Sequence, residues 1–202
     1  MDFGDINLMD LTVEGRAALL VGVVERVASP APLDDETQTG TLQFHVTRVL
    51  TPQRWHGPAE LELRFTQFSR PDLRARMGAG WNGVDIRSGA HMMVALTDVP
   101  ARPEAAATHP PLSALAVAEL KSQDDPLVRA MQQVLTIEAT ADTRRRLELI
   151  RQGLDSGPEF LSDYCHYALG RLKRVPREDA VAMELSLFQD AARAPQGRLS
   201  AE

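Results

Sequence analysis

The chain has 202 residues, 44% of them hydrophobic and 25% charged, the balance of an ordinary globular protein with room for one large domain or two small ones. A net charge of −6 offers no global basic field to nucleic acid or an anionic membrane, so another protein is the expected partner and nucleic acid comes second. A single cysteine excludes an internal disulfide framework and any multi-cysteine zinc site, and no apolar run approaches the ~18 residues of a membrane span.

The first sixteen residues, MDFGDINLMDLTVEGR, are acidic and lack a positive stretch ahead of an apolar one. As written, the chain therefore reads as cytoplasmic; it would read as extracytoplasmic if an export signal had been removed. Residues 17–27, AALLVGVVERV, form a nearly continuous apolar run rich in valine, as expected of a strand buried on both faces. The acidic, proline-containing SPAPLDDETQTG that follows reads as a loop. In TLQFHVTRVL, Leu42, Phe44 and Val46 alternate with Thr41, Gln43, His45 and Thr47, which predicts a half-buried strand. ELELRF alternates in the same way, with Leu61, Leu63 and Phe65 on one face and Glu60, Glu62 and Arg64 on the other. A long loop rich in glycine and arginine covers 66–83. Val84 and Ile86 then open a short strand, Ser88-Gly89 turns, and 91–97 form the last strand. Five strands with one long connection predict a small closed or half-closed barrel.

PARPEAAATHPP, at 100–111, has the composition of a linker. Beyond it the hydrophobic period becomes helical. Asp124 or Asp125 can cap a helix whose first turn holds Pro126, with Leu127, Met131, Val134 and Leu135 on one face. A second helix carries Leu147, Ile150 and Leu154. A third opens at Ser156 and Glu159, spaced as a capping box, and a fourth covers 176–194 with Val181, Leu185 and Phe188 on one face. Pro126 and Pro158 each open a helix that another follows, a weak internal repeat.

The succession ALLVGVVERV, TLQFHVTRVL, AELELRF and SGAHMMVALTDV resembles the netrin-like, or tissue-inhibitor-of-metalloproteinases-like, barrel of oligonucleotide/oligosaccharide-binding (OB) type, as found in bacterial members of that superfamily. The stretch 124–192 is similar to the HEAT-type helical repeats that follow such barrels in some uncharacterised bacterial proteins. The resemblance implies an α+β chain with a five-stranded OB-like β-barrel at 12–100 and an all-α HEAT-like domain at 112–193. It also implies a bias toward protein–protein contact. The animal inhibitors reach the protease zinc through an N-terminal cysteine; this chain has Met1 and no cysteine before Cys165, so metalloproteinase inhibition has no residue to carry it.

Cys165 and His166 are adjacent, but successive helical residues point about 100° apart. The thiol falls on a flank of the apolar stripe and the imidazole on the other side, so the pair cannot share a proton, and an ordinary core thiol is expected. GAGWNG, at 78–83, matches G-x-G-x-x-G, yet a strand-like segment follows where a dinucleotide site needs a helix. The histidines at 45, 56, 91, 109 and 166 show no i,i+4 pair and no local carboxylate ligand. Scattered surface histidines are the simpler reading, and no metal or cofactor is expected. No nucleophile elbow or Walker loop occurs. RRR at 144–146 and RLKR at 171–174 read as solvated helix faces.

The most unusual surface element is RFTQFSRPDLRARMGAGWNG. Arg64, Phe68, Arg70, Arg74, Arg76 and Trp81 mix guanidinium and aromatic groups, as interface hot spots do and as base-stacking surfaces do. The plainer alternative makes Phe65 and Trp81 core residues and leaves the arginines to solvate the loop. The function expected from all of this is a non-catalytic protein-binding or scaffold module. Alternatives are a nucleic-acid-binding OB protein and an enzyme with a site assembled from distant residues.

Overall fold

β1 (Ala18–Val27) is the centre of the molecule, because a strand apolar at successive positions must be covered on both faces. It pairs antiparallel with β3 (Thr37–Val49) on one side and β5 (His91–Leu96) on the other. β3 pairs antiparallel with β4 (Glu60–Phe68) and with the two-residue β2 (Ala31–Pro32). β4 takes β6 (Leu112–Ser113) as a short parallel neighbour, and β5 takes β7 (Ala116–Leu120) as an antiparallel one. The order is β6-β4-β3-β1-β5-β7, with β2 off the path. The two outermost strands are separated in the chain by Ala114 and Leu115 alone, and the Leu115 N–H donates to the Ala95 carbonyl at 2.9 Å. The sheet is thus curled until its opposite edges are reached by one stretch of chain. This computed structural model describes residues 17–77, 80–97, 111–156 and 158–171.

Alternation along the strands sorts side chains into two cores. Inside the curl lie Leu20, Val24, Leu42, Phe44, Leu61, Leu63, Phe65, Met92 and Val94, together with Trp55. On the convex face, Leu19, Val21, Met93, Ala95, Ala116 and Leu120 pack under Val128 and Met131 of α2 (Pro126–Ala139; α1, Pro71–Met77, precedes it). Asp125 caps α2, its Oδ1 accepting from the Leu127 N–H at 2.9 Å. The far side of α2, with Ala130, Val134 and Ile137, forms a third core with Ile150 of α3 (Thr143–Ser156) and Leu161, Tyr164, Cys165 and Ala168 of α4 (Glu159–Arg171). α2 therefore buries two faces, not the single face expected. The Tyr164 hydroxyl donates to Glu138 at 2.6 Å, and Arg146 pairs with the same carboxylate at 3.0 Å, so part of the RRR run braces α3 on α2.

The expected five-stranded OB-like barrel followed by an all-α HEAT-like domain is corrected. The fold is mixed α/β, a curled half-barrel of six to seven strands with four helices among the described residues. Three local reasons account for the difference. Residues 112–120, placed with the helices by composition, instead add β6 and β7, since strand formation in so short and alanine-rich a segment is decided by the edges it meets. Val84 and Ile86 do pack on the inner core but form no strand, because the Asp85 N–H donates to the Glu119 carboxylate at 3.0 Å and not to a neighbouring strand. Part of the acidic loop forms the β2–β3 hairpin, where Asp34 Oδ1 accepts from the Glu36 and Thr37 N–H groups at 2.9 and 2.7 Å. The linker at 100–110 and the helix expected at 176–194 lie outside the described residues. No helix among the described residues is long and apolar enough to cross a membrane.

Candidate functional site

β4 ends at Phe68, and α1 starts three residues later with Pro71 at its head and Asp72 in its first turn. The 66–83 segment is therefore not a bare loop. It contains α1 and a 3-10 turn at Gly80–Gly83, where Gly80 adopts φ +58°, a left-handed conformation open to glycine. The turn is anchored twice. Trp81 packs on Phe65, ring centroids 6.0 Å apart and tilted by 48°, and Asn82 Oδ1 accepts from the Phe68 N–H at 2.8 Å.

The six expected site residues meet different fates on this platform. Trp81 is half-buried and completes the inner core. Phe68 is half-buried at the end of β4. Arg70 is committed to Asp72 through two parallel hydrogen bonds of 3.1 and 2.6 Å. That hydrogen-bonded pairing raises the Arg70 pKa and lowers that of Asp72. Arg74 is half-buried and its Nη1 donates to the side-chain amide Oε1 of the buried Gln67 at 3.4 Å, while its Nε is buried with no acceptor among the described residues. Arg64 lies on the outward face of β4 and Arg76 near the end of α1. Both are exposed, and neither side chain has an ion pair or hydrogen bond among the described residues.

A second constellation lies on the convex face of the sheet. His45 stands directly opposite Glu60 in the β3–β4 ladder, and its Nδ1 is hydrogen-bonded to Glu60 Oε1. Glu25 of β1 joins them, so that one ligand atom from each of the three residues lies within 4.8 Å of the others. The Glu60 hydrogen bond, then the Glu60 charge, raises the His45 pKa, and the Glu25 charge adds a smaller push in the same direction. Spacings of 15 and 20 residues carry no local motif, which is why these histidines look scattered in the sequence. Strand register was the only signal that could have joined His45 to Glu60.

Two further sequence candidates among the described residues carry no site. Cys165 is buried, burial pushes its thiol up to about 11, and His166 is exposed. The glycine-rich turn at 80–83 is followed by irregular chain and a turn before β5, and not by a helix, so it offers no helix N-terminus to a phosphate. No family model matches the chain, and no curated protein or solved structure is significantly similar to it.

Proposed function

We propose that the protein is a non-catalytic binding module that recognises an acidic segment of another protein through the end of β4 and α1. The observation that carries this reading is that the exposed side chains of Arg64 on β4 and Arg76 on α1 have no ion-pair or hydrogen-bond partner among the described residues, with α1 followed by a turn anchored by Trp81 and Asn82. Arginine keeps its charge at any working pH and presents a planar fork suited to carboxylates. Anchoring spares the partner most of the entropy of ordering a loop.

Phosphate could satisfy the same donors, but two features favour protein over nucleic acid. Trp81 is committed to Phe65 and so is no free platform for a base. A net charge of −6 offers no extended basic field to a polyanion, whereas a short acidic segment needs only a few local guanidinium groups. The test is affinity capture from an extract of the native host, with and without nuclease, using the wild-type chain and Arg64→Ala/Arg76→Ala. The expected result is a protein that survives nuclease treatment and is lost with the double variant, whose melting temperature matches wild type because both side chains are exposed. Capture indifferent to the double substitution would remove this surface from consideration. Capture abolished by nuclease would transfer the reading to nucleic acid.

A further inference from the structure

We infer that Glu25, His45 and Glu60 form a binding site for a divalent transition-metal ion, with zinc the best match to the donor set. The inference is independent of the arginine surface. It rests on three strands delivering one nitrogen and two oxygen ligands to one point on the convex face.

The geometry begins with the ladder. His45 opposes Val23 on β1 and Glu60 on β4, so the three side chains share a face. Glu25 enters through an irregularity. Val24 pairs with Phe44 and Arg26 with Gln43, leaving Glu25 as the extra residue of a β-bulge. A bulge re-aims the side chain it carries, and this one brings the Glu25 carboxylate to a histidine on the next strand and a glutamate two strands away. The bulge is held in place from the β5 side. The Val24 N–H donates to Ala90 O at 2.9 Å, the Gly89 N–H to Val24 O at 2.7 Å, and the Ser88 hydroxyl to Glu25 O. Glu25 thus projects from a fixed backbone.

The donor set selects the ion. One imidazole nitrogen with two carboxylate oxygens suits zinc and its neighbours, whereas calcium and magnesium prefer oxygen alone and copper(I) prefers sulfur. Zinc with ligands at about 2.0–2.2 Å holds them roughly 3.4 Å from one another in a tetrahedron. Ligand atoms already within 4.8 Å reach that spacing by side-chain rotation alone. An ion pair between His45 and Glu60 would need only one carboxylate. The second, Glu25, places like charges together that a single imidazolium cannot balance and a dication can. On binding, the proton shared between His45 Nδ1 and Glu60 is released, and three protein ligands leave the fourth position to water or to a partner's side chain.

The test uses the full chain, stripped with EDTA and titrated calorimetrically with zinc chloride, then with magnesium and calcium chloride. The wild type should bind one zinc at this site, with no competition from magnesium or calcium at equal concentration. Glu25→Gln and His45→Ala should each weaken it at least about tenfold, the lower end of what even outer-shell changes cost. Glu25→Gln is the sharper variant, because it keeps the side-chain size, the bulge and the His45–Glu60 pair while removing one ligand charge. It decides alone if His45→Ala fails to fold. In NMR spectra, zinc should move the imidazole signals of His45 and leave those of His56 and His166 in place. Zinc binding of unchanged affinity in Glu25→Gln, or zinc that leaves the wild-type His45 signals unmoved, would overturn the assignment and reduce the trio to a surface ion pair.

Discussion

Cys165 and His45 sit in opposite surroundings, one buried in the helical core and the other on the solvent side of the sheet. Cys165 has no exposed surface, and a thiol pushed up to about 11 is protonated at neutral pH and a poor nucleophile. Thiol reagents should therefore label the native protein slowly and the denatured protein fast, and Cys165→Ala should cost about 1 kcal/mol from lost burial. Rapid native labelling would contradict the packing. His45 is exposed, and the Glu60 carboxylate holds its imidazolium above the ordinary value of 6.5. A folded pKa above the unfolded one stabilises the fold below pH 6.5, and that contribution is lost as pH rises through the folded value. The effect on melting should be small and screened by salt, since the pair is open to solvent. An NMR titration should place the His45 midpoint above 6.5, and Glu60→Gln should bring it down; equal midpoints would deny the hydrogen bond. The burial of Cys165 was legible in the helical phase of its neighbours. The polar face of His45 was legible in strand alternation, but its carboxylate partners depend on register and on a bulge that no spacing announces.

At the scale of elements, α3 and α4 meet so closely that one glycine sets the distance. A Cβ at Gly153 would lie 2.5 Å from Cys165 Sγ and 3.4 Å from Leu161 Cγ. Gly153→Ala should destabilise the protein by about 1–3 kcal/mol through overpacking, outweighing the roughly 1 kcal/mol that alanine gains over glycine in a helix. Gly170 on α4 is the control: a Cβ there meets nothing within 4 Å, so Gly170→Ala should raise stability. Denaturant midpoints check both signs, and Cys165→Ala should partly rescue Gly153→Ala by vacating the space. The elements themselves were legible to different degrees for a physical reason. β3 and β4 announce themselves because alternation is long enough to define a buried face, and β1 and β5 because a near-continuous apolar run marks a strand covered on both sides. Val84 and Ile86 alternate equally well, yet their backbone meets a side chain and not a strand. α1 spans only Pro71–Met77, too short for a helical period to show among its arginines. The arginine-aromatic set was legible as a group, whereas the division into an anchor at Trp81, a closed pair at Arg70 and open donors at Arg64 and Arg76 depends on side-chain geometry.

For the whole molecule, the decisive feature is that the sheet and the helices share apolar surface. Composition points to a break at 100–111, but the chain beyond it returns to the sheet as β6 and β7 before α2 begins. Val128 and Met131 of α2 then cover the convex face, while Arg48 at the end of β3 reaches Asp124 at 3.1 Å. Separating residues 112–202 would strip two strands from the sheet and expose the sheet-covering face of α2, with Val128 and Met131, to water, so the helices of that fragment should be markedly less stable than in the intact chain. In the intact chain the consequence is a single cooperative unfolding transition. Two probes can test this, because both tryptophans, Trp55 and Trp81, pack on the inner core of the sheet, while circular dichroism at 222 nm reports chiefly the helices. In a denaturant titration the fluorescence and dichroism curves should coincide. Met131→Ala, at the seam between sheet and helix, should cost about 2–5 kcal/mol and shift both curves together. If dichroism persists at denaturant concentrations where tryptophan fluorescence has already changed, or if Met131→Ala moves one curve and leaves the other, the helices fold as a unit of their own and the shared core does not bind the two parts into one.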